Sequence, residues 1–266
     1  MNVFASFCGP MSGAIRMRWA TMLQWPNSRL EACSGPVAVT VTEKQLIDLG
    51  VLATPYFKFI RLQNPAPQYQ EEVKGKMVTH RLFRSTPWPK CYEVGVVHND
   101  ERNRAIVYEV QRAAQFGLRA MILVSRTEHG RKLSDLLTQA GVRVAFIKGE
   151  NDQSERKAAL NALRDGRVDA VIGTSILDVG VDMPAVGLIV LAGAGKAEVQ
   201  TRQRIGRGLR AKKNGPNIAF VVDFIEAANS TLRDHQNERM GIIQSTPGFA
   251  EHIVGDFDYS VFRKAA

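Results

Sequence analysis

From Asn99 onward the chain alternates two hydrophobic patterns. Over residues 100–116, Ile106, Val107, Val110 and Ala114 fall on one face of a 3.6-residue period, and Gly117 ends the stretch, as an amphipathic helix requires. Residues 120–124 are a continuous apolar run, the pattern of a strand buried on both faces. Leu133, Leu136, Leu137 and Ala140 predict the next helix, stopped by Gly141, and residues 142–147 the next strand. Asp152-Gln153-Ser154-Glu155 forms a capping-box pattern that opens a helix to Arg164. Strands over 168–172, 188–191 and 218–222 and a helix over 198–209 complete the run. This alternation predicts an α/β fold: a three-layer domain with a mostly parallel sheet over residues 99–225.

The flanks are less regular. Residues 1–30 have no helical or strand period. Residues 36–41 predict a strand, and 42–50 a short helix closed by Gly50. Residues 63–98 carry Pro65, Pro67, Pro87 and Pro89 and are expected to be an irregular connector with one strand pair. Residues 226–266 are expected to hold a helix and a loose tail. The division is therefore 1–98, 99–225 and 226–266, with no internal repeat.

Charge adds a partner class. Against 26 Asp and Glu stand 35 Lys and Arg, for a net charge of +9, which favours a polyanion such as nucleic acid. Cys8, Cys33 and Cys91 lie far apart without metal-ligand spacing, the pattern of reduced intracellular thiols, so a cytoplasmic setting is expected and no metal site on this chain. No apolar run approaches the roughly 20 residues of a membrane span, so no membrane partner is expected. The first residues lack a basic-then-apolar signal pattern.

Three segments carry candidate chemistry. Ser125 and Arg126 follow a buried strand and open a helix, where exposed N–H groups suit phosphate; an ordinary strand-to-helix turn has the same form. Thr174 and Ser175 follow the next buried strand, and Gly180 and Asp182 come soon after. Hydroxyls there can meet a phosphate backbone, Asp182 can accept from a ribose hydroxyl, and Gly180 permits close approach; a capped loop is the plainer alternative. In Gln203-Arg204-Ile205-Gly206-Arg207-Gly208-Leu209-Arg210, Arg207 and Arg210 share one helical face. A solvated basic face would also be rich in arginine. It would seldom keep Gly206 and Gly208, each of which weakens a helix by about 1 kcal/mol relative to alanine.

In this order the segments resemble motifs IV, V and VI of superfamily 2 helicases. The sixth, Gln-x-x-Gly-Arg-x-x-Arg, matches at Gln203, Gly206, Arg207 and Arg210. The resemblance covers about residues 99–225 and extends more weakly upstream, where residues 30–36 and 43–52 and Asn99-Asp100-Glu101-Arg102-Asn103 are similar to phage and bacterial DEAD/DEAH-like DNA helicases. It implies a second RecA-like domain. Arg207 and Arg210 would reach the γ-phosphate, Gln203 would order the site, and Gly180, Asp182 and Gly206 would face the nucleotide. Ser125, Arg126, Thr174 and Ser175 would line the nucleic acid, with DNA favoured over RNA.

The phosphate-loop pattern Gly-x-x-x-x-Gly-Lys-Ser/Thr does not occur, and neither does Asp-Glu-x-His or Asp-Glu-x-Asp; Gly193-Ala194-Gly195-Lys196-Ala197 lacks the spacing and the hydroxyl. The resemblance thus implies the second half of a helicase, from a split gene, a truncation, a misplaced start or a partner subunit, with residues 1–98 as remnant and connector of the first half. ATP and Mg²⁺ would bind only together with a first RecA-like domain, supplied by a separate phosphate-loop partner, and the chain alone would be inactive as an ATPase. A stand-alone nucleic-acid-binding accessory protein is the alternative. A complete small nucleotide-binding enzyme is disfavoured, because Arg126-Thr127-Glu128-His129-Gly130 stands where its glycine-rich loop would be.

Overall fold

Strand β1 (Thr54–Leu62) sits between strands from the far end of the chain, in a sheet ordered β5-β6-β4-β7-β8-β1-β9. The others are β4 (Arg119–Leu123), β5 (Val144–Ile147), β6 (Ala170–Gly173), β7 (Val186–Val190), β8 (Ile218–Glu226) and β9 (Ile253–Val254). Every pairing among the seven is parallel. The computed structural model describes residues 41–63, 68–174, 186–193, 205, 209–212, 215–226 and 229–265.

The apolar runs bury both faces. In β4, Ala120 and Ile122 enter one core, while Met121 and Leu123 enter the other. The first core is covered by α3 (Asp100–Gln115) and α4 (Thr127–Gln139) through Ile106, Val110, Leu133 and Leu137. The second is covered by α5 (Gln153–Arg164) and α6 (Ser230–Ser245) through Leu163 and Ile243, with Ile205 and Leu209 beside them. Burying each such side chain contributes about 1.5–3 kcal/mol.

Local signals set the boundaries. Helix α1 (Glu43–Asp48) opens on a capping box: the Gln45 N–H donates to Thr42 Oγ1 at 3.3 Å, and the Thr42 N–H donates to Gln45 Oε1 at 2.9 Å. Asp152 and Glu155 form the expected box on α5. Gly117 and Gly141, at φ +74° and +78°, supply the left-handed turns after α3 and α4.

Three differences from the sequence expectations stand out. Strand β1 comes from the stretch before residue 63 for which no strand was expected. Its pattern is disguised by Pro55, Lys58 and Arg61, and burial of Lys58 depends on Glu109, 2.5 Å away, and Asp256, 2.7 Å away. The connector of residues 63–98 holds the expected strand pair, a hairpin of β2 (Gln68–Val73) with β3 (Lys76–Arg81), turned by Lys74 and Gly75, both at positive φ. It also contains α2 (Trp88–Tyr92), which runs into a π-helical turn over Glu93–Val97. The end of the chain is not a loose tail: after α6, β9 pairs with β1, and Phe257 and Tyr259 are buried in the first core. The strand expected over 36–41 lies outside the described residues except for Val41, which is not in a strand. Of the helix expected over 198–209, Ile205 and Leu209 are described, with the Leu209 N–H donating to the Ile205 carbonyl at 3.0 Å.

Candidate functional site

In a parallel sheet the carboxyl ends of all strands share one edge. Ser125 follows β4 there, and Thr174 follows β6; Leu123 is in register with Gly173, and the Val124 N–H donates to the Gly173 carbonyl at 3.0 Å. Gly193 rises beside them after β7, its N–H donating to the Leu123 carbonyl at 2.8 Å. A Cβ on Gly193 would lie 2.4 Å from Ser125 Oγ, so the close approach needs glycine. Ser125 is exposed and Thr174 half-buried.

Arg126 is the N-cap of α4 but gives that helix no side-chain hydrogen bond. Its guanidinium donates to the Pro89 carbonyl at 3.1 Å and lies 4.8 Å from the Tyr92 ring centre. The Tyr92 hydroxyl in turn accepts from the Ser125 N–H at 3.3 Å. Helix α2 thereby fixes the Ser125–Arg126 loop, a role that the sequence pattern of residues 88–97 did not show.

Below this edge lies a buried ionic layer. Arg102, in the first turn of α3, pairs with Glu226 at the end of β8 and donates to the Ala192 and Leu191 carbonyls at 3.1 and 3.4 Å. It also lies 4.2 Å from the Phe224 ring centre. Burial pulls the Arg102 pKa down and pushes the Glu226 pKa up, and each charge opposes the shift in the other. Arg239 of α6 donates twice to Asp223 of β8, both at 2.9 Å. The available sequence signal was two acids, Asp223 and Glu226, interrupting an apolar run. His129 is buried nearby and hydrogen-bonded to Asn103 Oδ1 at 2.9 Å, while the Asn103 amide donates to the Val97 carbonyl. Burial, with Arg102, Lys132 and His98 adding repulsion, lowers its pKa to about 3. The ring is therefore neutral at pH 7, with Nε2–H facing Asn103.

Arg210 stands elsewhere. It bridges Leu52, and the Ala53 N–H donates to the Leu209 carbonyl at 2.6 Å, so Arg210 lies at the amino end of β1. A strand of about five residues, roughly 15 Å, separates that edge from Ser125. Arg210 is exposed on this pinned backbone. The structure brings Ser125, Arg126 and Thr174 to one edge and Arg210 to the opposite one. Ser175, Gly180, Asp182, Gln203, Gly206 and Arg207 lie outside the described residues. Among the described residues no group of three or more His, Cys, Asp or Glu converges to hold a metal, and no helix is long and apolar enough to cross a membrane.

Residues 101–212, which include both edges, match the helicase conserved C-terminal domain family. This span is a helicase C-terminal domain. Among relatives, the UvrABC system protein B of Pseudothermotoga lettingae is 32% identical over 142 residues, covering 52% of this chain and 21% of that protein. A pre-mRNA-splicing ATP-dependent RNA helicase of Cryptococcus neoformans is 28% identical over 159 residues, covering 60% of this chain and 21% of the relative. The chain thus spans about a fifth of the length of these curated relatives. Among solved structures, T4 UvsW aligns at a TM-score of 0.50 and 19% identity, over 65% of this chain and 36% of that one. An S. cerevisiae Dbp5 variant bound to RNA and ADP BeF3 aligns at 0.51 and 14% identity, over 90% and 49%. The helicase C-terminal domain is RecA-like: its sheet is parallel, and helices cover both faces.

Proposed function

We propose that the chain is the C-terminal half of an ATP-dependent helicase or translocase acting on DNA. Its carboxyl edge contributes Ser125, Arg126 and Thr174 to the strand path, and Ser175 acts with them. Arg210, at its amino edge, acts together with Arg207 as an arginine finger, with Gln203 ordering the pair and Gly180, Asp182 and Gly206 serving the nucleotide. The observation that carries this reading is the placement of Arg210 and of Ser125 with Thr174 on opposite edges of one parallel sheet. One domain can then meet a nucleic-acid strand on one side and a phosphate on the other.

ATP and Mg²⁺ belong, in this reading, to a separate phosphate-loop domain, since the sequence carries no phosphate-loop pattern. When bound, they supply the transferring phosphoryl group and neutralise its charge. An exposed arginine on a fixed backbone suits an anionic ligand. The net charge of +9 supports a nucleic-acid partner, and the upstream similarity to phage and bacterial DNA helicases supports DNA and the cytoplasm of a bacterial or phage-infected cell. A stand-alone accessory binder would use the carboxyl edge alone and would have no need of the arginines.

ATP hydrolysis in the presence of single-stranded DNA tests the reading, measured for the chain alone and with a phosphate-loop domain added. We expect turnover only in the mixture. Turnover by the purified chain alone overturns the trans arrangement. Absence of salt-sensitive DNA binding overturns the strand path.

A further inference from the structure

Between the hairpin tip and the end of α2 the chain carries Lys74, Lys76, Arg81, Arg84 and Lys90, and no Asp or Glu. In the middle of this stretch Phe83 is 62% exposed. Its backbone is nevertheless tied down. The Phe83 N–H donates to Thr86 Oγ1 at 2.9 Å, the Thr86 N–H returns to the Phe83 carbonyl at 3.1 Å, and Asn229 Nδ2 reaches the same carbonyl at 3.4 Å. Leu82, beside it, is buried with Cys91 and Val94. A large aromatic ring is therefore held in water by a well-bonded turn, flanked by exposed Arg81 and Arg84.

The position completes the picture. Asn229 caps α6 just beyond the carboxyl end of β8, so Phe83 lies on the same sheet edge as Ser125, two strands away from β4. Helix α2 joins the two places: Cys91 Sγ donates to the Thr86 carbonyl at 3.3 Å, while Pro89 and Tyr92 hold Arg126 and Ser125.

We propose that the turn at Phe83 is a base-stacking subsite for single-stranded nucleic acid, with Arg81 and Arg84 meeting the flanking phosphates. The proposal rests on the strand path described above and extends it past Ser125 and Arg126. A base offers its π-face to an aromatic ring whatever its identity, and cationic side chains on either side neutralise the backbone. An apolar protein partner fits the turn less well, because a single ring stands there between two cations. The exposed Val73 and Met77 lie at the other end of the hairpin.

The test uses the full chain and a labelled oligothymidine of about 12 nucleotides, read by fluorescence anisotropy at several salt concentrations. A second strand carries 2-aminopurine, whose fluorescence falls on stacking. Phe83→Ala is expected to weaken binding about tenfold or more, to abolish the 2-aminopurine quenching and to leave the salt slope unchanged. Phe83→Trp should retain both affinity and quenching. Arg84→Ala should lower the salt slope by about one. Thermal melting checks that the variants fold, as a substitution at an exposed side chain should allow. If Thr174→Ala weakens binding and Phe83→Ala does not, the subsite is overturned and the strand path stands. If the wild-type chain binds neither oligonucleotide, both fall.

Discussion

Arg239 and Asp223 form a buried two-pronged ion pair, with both N–H···O distances at 2.9 Å and neither side chain more than about 2% exposed. The pair fastens α6 to the middle of β8. Removing one member leaves the other charged and buried without its ion-pair partner, at a cost of about 3–5 kcal/mol. Asp223→Ala should therefore lower the denaturation midpoint sharply without altering the slope. The double variant Asp223→Leu with Arg239→Met should recover most of the loss. Urea unfolding of the three chains checks this, and a double variant no more stable than Asp223→Ala would show that the loss does not come from the stranded Arg239 charge.

A second expectation concerns Gly193. Alanine there brings a methyl group within 2.4 Å of Ser125 Oγ and 3.1 Å of its backbone nitrogen. The serine must shift, and its N–H···Tyr92 bond weakens. A lost hydrogen bond of about 0.5–1.5 kcal/mol corresponds to roughly two- to twelve-fold in affinity for single-stranded DNA. Gly193→Ala and Ser125→Ala should each show a loss in this range, and the double variant should show less than their sum, because both act on one group. Anisotropy titrations of the three variants decide it.

Acid should destabilise the fold through His129. Its folded pKa of about 3 lies below the ordinary histidine value near 6.5, because burial disfavours the imidazolium. Above the ordinary value both states are neutral and the site favours neither. As pH falls from about 6.5 toward 3, the unfolded chain takes up a proton that the folded chain refuses, and stability is lost throughout that window. At pH 5 the loss is about 2 kcal/mol. Melting temperatures at pH 7 and 5 should separate more for the wild type than for His129→Gln, whose amide can keep the bond to Asn103. Equal separations would exclude His129 as the source.

The arginines give the sharpest functional expectation. Once a phosphate-loop domain restores hydrolysis, Arg207→Ala or Arg210→Ala should reduce turnover by about 10³-fold or more, with little change in DNA affinity. Arg207→Lys should rescue poorly, since an ammonium cannot reproduce a planar fork. If both residues instead belong to a solvated basic face, turnover stays near wild type while affinity falls with the lost charge. Measuring turnover and affinity on the same proteins separates the two outcomes.

The sheet was legible wherever burial on both faces produced an unbroken apolar run, as in β4 and β7, or where a cap announced a helix, as Asp152 does for α5. Strand β1 was not legible, because Lys58 enters a partly buried position only by pairing with Glu109 and Asp256, residues far away in sequence. The docked C-terminal segment escaped for a related reason: Phe257 and Tyr259 find their places against Phe220, with ring centres 4.7 and 4.8 Å away, and no local period reports that contact. At the candidate site the loop positions of Ser125, Arg126 and Thr174 followed from strand ends alone. The support from Tyr92, Gly193 and Arg102 did not, since each acts through a contact between separate elements.

Strand β1 also sets a timetable for folding on the ribosome. Thr54 is made well before its partner Ile218, which follows about 160 residues later, and Ile253, which pairs with Phe57 on the outer side, comes later still. At roughly 5–20 residues per second, β1 waits on the order of ten to thirty seconds with both edges open. Such unpaired edges invite wrong partners. The nascent chain is therefore most exposed to aggregation in that interval, and slower translation across residues 63–217 lengthens the hazard.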